Sequence, residues 1–158
     1  MAVDNTGLYY DTIDGFIKWV SANLAGILAS DTPNDYSVSE DSRKETIKEA
    51  LLNAEGEVDG YLAKRGYSTP IADIYERSHN VIRIYVRNIA TYELFGRRGI
   101  TKERYYKYTK TMDMLEKFGN GEKSLPESVP FSNRSKMVLG NNGVSVFSES
   151  PRSARHSL

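Results

Sequence analysis

The chain has no cysteine. That excludes a disulfide framework, a thiolate zinc site and a thiol nucleophile. Histidine is nearly as scarce, with His79 and His156 alone, so a metal centre would lack imidazole ligands. No run approaches the roughly 18 apolar residues that a membrane span needs. The N-terminus, MAVDNTGLYYD, has no basic region followed by an apolar one, so no signal peptide is expected. These absences predict a cytoplasmic protein with no membrane partner and no cofactor. Net charge is missing too, since 21 basic and 21 acidic side chains cancel.

The charge that is present is unevenly spread. Residues 1–60 hold 12 acidic and 4 basic side chains, whereas residues 61–158 hold 9 and 17. Such halves either pair within the fold or give a molecule two unlike faces. Unlike faces suit head-to-tail packing, which closes into a ring if the rotation allows. The length, 158 residues, fits one domain with a real core.

Helical spacing dominates as far as residue 118 and predicts an all-α fold of about four helices. The first is predicted over 12–29, with Thr12 as N-cap and Ile13, Phe16, Ile17, Val20, Leu24, Ile27 and Leu28 on its apolar face. SDTPNDYSVS, 30–39, is turn chemistry. The second helix is predicted over 40–65. Ile47, Leu51, Ala54, Val58 and Leu62 form one narrow stripe. Glu45, Glu49, Glu55 and Asp59 fall on other faces, expected to be solvated. Gly66 reads as the residue just past the helix, and Lys64 and Arg65 suit its last turn.

The third helix, predicted over 71–96, is apolar almost all round. Only Glu76, Asn80, Arg83, Arg87 and Thr91 form a polar stripe. That pattern predicts the central element, packed on several sides. His79 reads as a core or boundary histidine. The fourth helix starts at the N-cap Thr101, and Tyr105, Tyr108, Met112 and Leu115 make its predicted buried stripe. GNGEKS, 119–124, resembles a phosphate loop but has Glu122 where that motif needs glycine before the lysine. It also follows a helix rather than a strand, so it reads as a helix-ending turn.

From Ser124 the composition changes. Residues 124–158 contain 9 Ser, 3 Pro, 3 Asn and 2 Gly, too polar for an independent core. KMV at 136–138 and VSVF at 144–147 read as a short β-hairpin around LGNNGV. The expected organisation is a helical domain over 1–123 and an extended interaction tail over 124–158, docked on neighbouring chains. Of 11 tyrosines, 8 lie between Tyr61 and Tyr108, a residue type enriched at interfaces.

The pattern IKEALLNAEGEVDGYLAKRGYSTP, then Tyr92-Glu93-Leu94-Phe95-Gly96-Arg97-Arg98, then GNGEKSL with Glu122 inserted, resembles the Mu-type head–tail connector, or adaptor, family of tailed bacteriophages. The resemblance covers about residues 40–125 and rests on order and spacing across three helices. It implies a structural virion protein without an active site. Similar proteins form a ring, commonly of twelve subunits, between the portal protein and a downstream tail or stopper protein. Genomic DNA passes through the lumen. The expected location is the head–tail interface of the virion, with the host cytoplasm during assembly.

The residues expected at subunit contacts are Glu55, Asp59, Tyr61, Arg87, Tyr92, Arg97, Arg98 and Tyr105. Those expected to dock on portal or tail are Val144, Val146, Phe147, Arg152, Arg155 and Leu158. Two other readings make different predictions. A helical DNA-binding regulator would use Arg77, Arg83, Arg87, Arg97, Arg98, Lys102 and Arg104 as a basic patch. A small enzyme would need convergent polar groups in a pocket, and no such motif is present in the sequence.

Overall fold

A computed structural model describes residues 7–21, 24, 25, 29, 39–96 and 99–127. Among them lie four helices: α1 (Ile13–Val20), α2 (Glu40–Arg65), α3 (Glu76–Gly96) and α4 (Lys102–Asn120). The predicted all-α class is the observed one, and no described residue is in a strand.

Local chemistry sets the helix ends. Thr12, Ser39 and Thr101 each accept a hydrogen bond from the backbone N–H three residues on, at 3.0, 3.2 and 3.4 Å. Each thereby satisfies one of the donors that a helix start leaves unpaired. At the other ends α2 and α4 stop identically. Gly66 and Gly121 take the left-handed conformation, at φ 92° and 81°. The Gly66 N–H donates to Ala63 O and the Tyr67 N–H to Leu62 O. Gly121 and Glu122 repeat the pair on Phe118 and Lys117. This is the Schellman arrangement, and it needs a residue that tolerates positive φ. GNGEKS is therefore a helix stop, as its position after a helix predicts.

Two boundaries differ from expectation. The first helix does not run unbroken to residue 29. It ends at Val20, because Ser21 turns to φ 87°. Ser21 then starts a new turn, its Oγ accepting from Leu24 N at 3.4 Å and its carbonyl from Ala25 N at 2.9 Å. The third helix begins at Glu76 rather than 71, after a turn in which Tyr75 N donates to Ala72 O. The predicted loop over 30–38 lies outside the described residues.

α2, α3 and α4 pack mutually, while α1 lies against α2. Asn88 of α3 donates to Thr111 of α4, and the rings of Tyr85 and Phe118 sit 6.3 Å apart. These contacts make α3 antiparallel to α4. Asn53 of α2 donates to Glu93 of α3, and Lys64 reaches Asn120 at 3.4 Å, so α2 runs with α4. The whole predicted α2 stripe is buried, joined by Ile82, Val86, Ala90 and Leu94 from α3 and Leu115 and Phe118 from α4. Each of the larger side chains contributes about 1.5–3 kcal/mol.

The body does not end at residue 123. Leu125 is buried, and its N–H donates to the Tyr67 hydroxyl at 3.1 Å. Glu127 accepts from the Arg77 backbone N–H at 2.9 Å, so a carboxylate from beyond α4 caps the start of α3.

Candidate functional site

The candidate surface built from sequence was the acidic side of α2 and the basic stripe of α3. Within one chain these two meet, and residues 8–11 lie between them. The i,i+4 spacing of Glu55 and Asp59 on α2, and of Arg83 and Arg87 on α3, stacks each pair on one helix face. The Glu55 carboxylate accepts Tyr9 N at 2.9 Å and Tyr10 N at 2.8 Å. The Tyr10 hydroxyl donates to Asp59 Oδ1 at 2.5 Å and accepts from Ile71 N at 2.9 Å. Arg83 Nε donates to Tyr10 O at 2.7 Å. Arg87 grips Asp11 with two parallel bonds, at 2.6 and 2.8 Å. Bidentate pairs of this kind combine charge with fixed geometry.

The strap is interior at Tyr10 and Asp11, while Tyr9 stays exposed. Tyr10 is 1 % exposed and Glu55 only 6 %, which corrects the expectation of a solvated Glu55. The apolar surroundings that bury Glu55 raise its pKa, opposed by the backbone N–H groups of Tyr10 and Tyr9. Burial likewise raises Asp59, opposed by the Tyr10 hydrogen bond. The Tyr10 hydroxyl is raised as well, by burial first and then by its bond to Asp59. His79 is buried beside Tyr10, ring centroids 5.2 Å apart. Burial and the Arg83 charge hold His79 below the usual imidazole range. Its Nε2 lies 3.3 Å from Asp73 Oδ1, the boundary setting expected of it. The acidic groups of this stretch hold backbone and hydroxyl donors of the chain itself; they are architecture.

Gly15 belongs to the same unit. A Cβ there would sit 2.8 Å from Asp11 Oδ1 and 2.9 Å from Thr12 Oγ1. The pairing of Asp11 with Arg87 therefore requires glycine on α1.

The expected contact residues separate into groups. Glu55, Asp59 and Arg87 have their polar groups engaged by the strap. Tyr61 and Tyr92 are half-buried. Tyr105 is 55 % exposed, so it does not join the buried stripe predicted for α4. Thr111 takes the buried place, with its hydroxyl donating to Lys107 O and accepting from Asn88. Tyr92 stacks flat on Tyr108 at 3.8 Å, with Tyr105 6.4 Å away. Together they form a tyrosine patch where α3 ends and α4 begins. Glu57 and Glu93 lie on the same side, and Glu57 is raised by burial first and by the Glu93 charge second. Arg97, Arg98, Val144, Val146, Phe147, Arg152, Arg155 and Leu158, and the predicted hairpin, lie outside the described residues.

Sequence reasoning missed Tyr10 and Asp11, because nothing local marks a segment that pairs 45 to 76 positions away. The available signal was the pair of i,i+4 acids on one helix answered by i,i+4 arginines on the next. Among the described residues, no helix is long and apolar enough to cross a membrane, and no group of three or more acidic or histidine side chains is placed to hold a metal ion.

Fold and site together define a small helical bundle in which Glu55, Asp59, Arg83 and Arg87 hold the chain's own residues 9–11. A family model described as Bacteriophage Mu, Gp36 matches residues 10–137, from the strap through the bundle and beyond. The chain belongs to this family and is a bacteriophage protein. Among curated proteins and among solved structures there is no match.

Proposed function

We propose that this protein is a head–tail connector, a structural virion component forming a ring between the portal and the tail. The observation that carries the reading is the family match over residues 10–137. The bundle supports it in a second way. Its buried acids and arginines close on the strap, while tyrosines at 9, 105 and 106 remain exposed for contact with neighbours.

In this reading the ring has about twelve subunits, as the resemblance implies, and DNA passes through its lumen without sequence readout. Subunits meet through the tyrosine patch, with Arg97 and Arg98 supplying charge that sets orientation. An exposed ion pair adds only about 0–1 kcal/mol, so buried aromatic contact supplies most of the affinity. Val144, Val146, Phe147, Arg152, Arg155 and Leu158 reach the portal or the downstream tail or stopper protein. The protein performs no catalysis and needs no cofactor.

Mass measurement during size-exclusion chromatography, alone and with purified portal, tests the proposal. A ring, or a portal complex, is expected. A monomer in both conditions at tens of micromolar would overturn it. Charge reversal at Arg97 and Arg98 should lower ring yield; unchanged yield removes that pair from the subunit contact.

A further inference from the structure

The tyrosine patch where α3 ends and α4 begins holds acid without base. Glu57 and Glu93 are both exposed on its side of the bundle. Glu93 accepts from Asn53 at 2.8 Å, a neutral donor. Among the described residues no lysine or arginine pairs with either carboxylate. Glu40, Glu103 and Asp113, by contrast, each hold a lysine at 2.6 to 3.0 Å. Burial first, and then the Glu57 charge, raise the Tyr108 hydroxyl, so acid and stacked rings form one unit. Ring faces beside carboxylates that lack a cation favour a guanidinium, which both attract.

The opposite end of α3 presents the complement. Ile74 is 79 % exposed, the most exposed large apolar side chain described. Arg77 stands three residues on, with 81 % of its side chain exposed. Its guanidinium faces Glu127 at 3.6 Å, too long for a hydrogen bond. An apolar side chain beside a cation thus answers rings beside carboxylates. The two features cannot meet within one chain. Arg77 and Glu93 are about 24 Å apart along α3, which rises about 1.5 Å per residue.

We infer that the Ile74–Arg77 corner of one copy docks on the patch of a second copy formed by Glu57, Tyr92, Glu93, Tyr105 and Tyr108. Arg77 sits against rings and carboxylates, and Ile74 gains apolar cover. The contact joins unlike surfaces, so it propagates head to tail and closes into a ring where the rotation allows. It deepens the connector reading and rests on it in one respect, that the partner is a second copy.

With no cysteine in the chain, a disulfide trap reads the contact directly. Ala72→Cys is exposed and leaves Ile74 and Arg77 intact. Lys102→Cys is exposed about one turn before Tyr105. Full chains carrying one cysteine each are mixed at tens of micromolar and oxidised. The disulfide between positions 72 and 102 should form about tenfold faster than one between 72 and Lys18→Cys on α1. Arg77→Glu in the first chain should abolish that preference, because it sets like charges together. Glu57→Arg in the second chain should then restore it. Equal rates at 102 and 18, a preference that survives Arg77→Glu, or no restoration by the swap would each overturn the inference. Arg77→Gln, which keeps the backbone donor to Glu127, replaces the reversed variant if that one misfolds, and the preference should again be lost. A wild-type chain that stays monomeric in chromatography but shows the preference keeps this contact and removes the ring. Rings without the preference keep the connector reading and overturn this contact.

Discussion

Replacing Glu55 by alanine should unlatch the N-terminal strap. In the folded chain its carboxylate serves the backbone N–H groups of Tyr9 and Tyr10 at 2.8 to 3.1 Å. Tyr10 is buried, so water cannot replace the lost acceptor. A buried donor left unsatisfied costs about 1–3 kcal/mol, toward the upper end where the lost partner is charged. Tyr9 is 59 % exposed and water can take over its N–H, so the Tyr10 donor dominates and the loss is about 2–3 kcal/mol, reduced by whatever desolvation cost the buried carboxylate itself imposes. With a urea slope of about 1–3 kcal/mol per molar, the unfolding midpoint should fall by about 1 M. Amide hydrogen exchange separates local from global loss. Tyr9, Tyr10 and Asp11 should lose protection first, while α4 keeps its own. A midpoint shift below about 0.5 M, with strap amides still protected, would refute the reasoning.

Gly15→Ala, normally stabilising within a helix by about 0.5–1 kcal/mol, should here destabilise by about 1–2 kcal/mol, because the new Cβ meets Asp11 and Thr12; a raised melting temperature would show that the Asp11–Arg87 pair is not tight against α1. His79 has a folded-state pKa below its usual 6.5, so the folded chain binds its proton less readily than the unfolded one. Its contribution is therefore present above pH 6.5 and lost as pH falls through the folded value, and His79→Gln should flatten that part of the stability–pH curve. Burial raises Glu55 and Asp59, which gives the opposite slope just above the ordinary carboxylate range, so Asp59→Asn should reduce the gain in stability on acidification there. Ending the chain after residue 123 removes buried Leu125 and the Glu127 cap and should cost about 3–5 kcal/mol in a urea melt, whereas ending it after residue 137 should leave the midpoint unchanged.

What sequence made legible was whatever is decided within a few residues. The bounds of α2, the caps at Thr12 and Thr101, the Gly66 and Gly121 stops and the five-residue stripe of α2 all follow from local rules, and all are observed. Periodicity predicted α3 as the central element, but α2 is the helix that packs against the other three, and Ile84 of α3 faces outward. It misjudged Tyr105, because a tyrosine on an apolar stripe reads as buried until the stripe's neighbour is known. Glu55 was assigned to solvent because its partners, Tyr9 and Tyr10, lie 46 and 45 positions away. The break at Ser21 turns on one residue whose hydroxyl caps the following turn, a competition that apolar spacing does not register. Phage membership was legible from the order of motifs in α2, α3 and the end of α4, and the family match over residues 10–137 bears it out.

The central claim is a place in the particle, and electron microscopy of assembled virions tests it most directly. Gold-labelled antibody against the bundle, or subtraction of particles assembled without this protein, locates the chain. The account predicts a single ring at the junction of head and tail, and heads that accumulate without tails when the protein is absent. Density on the capsid shell or the tail tip, or normal joining of heads to tails without the protein, would contradict it.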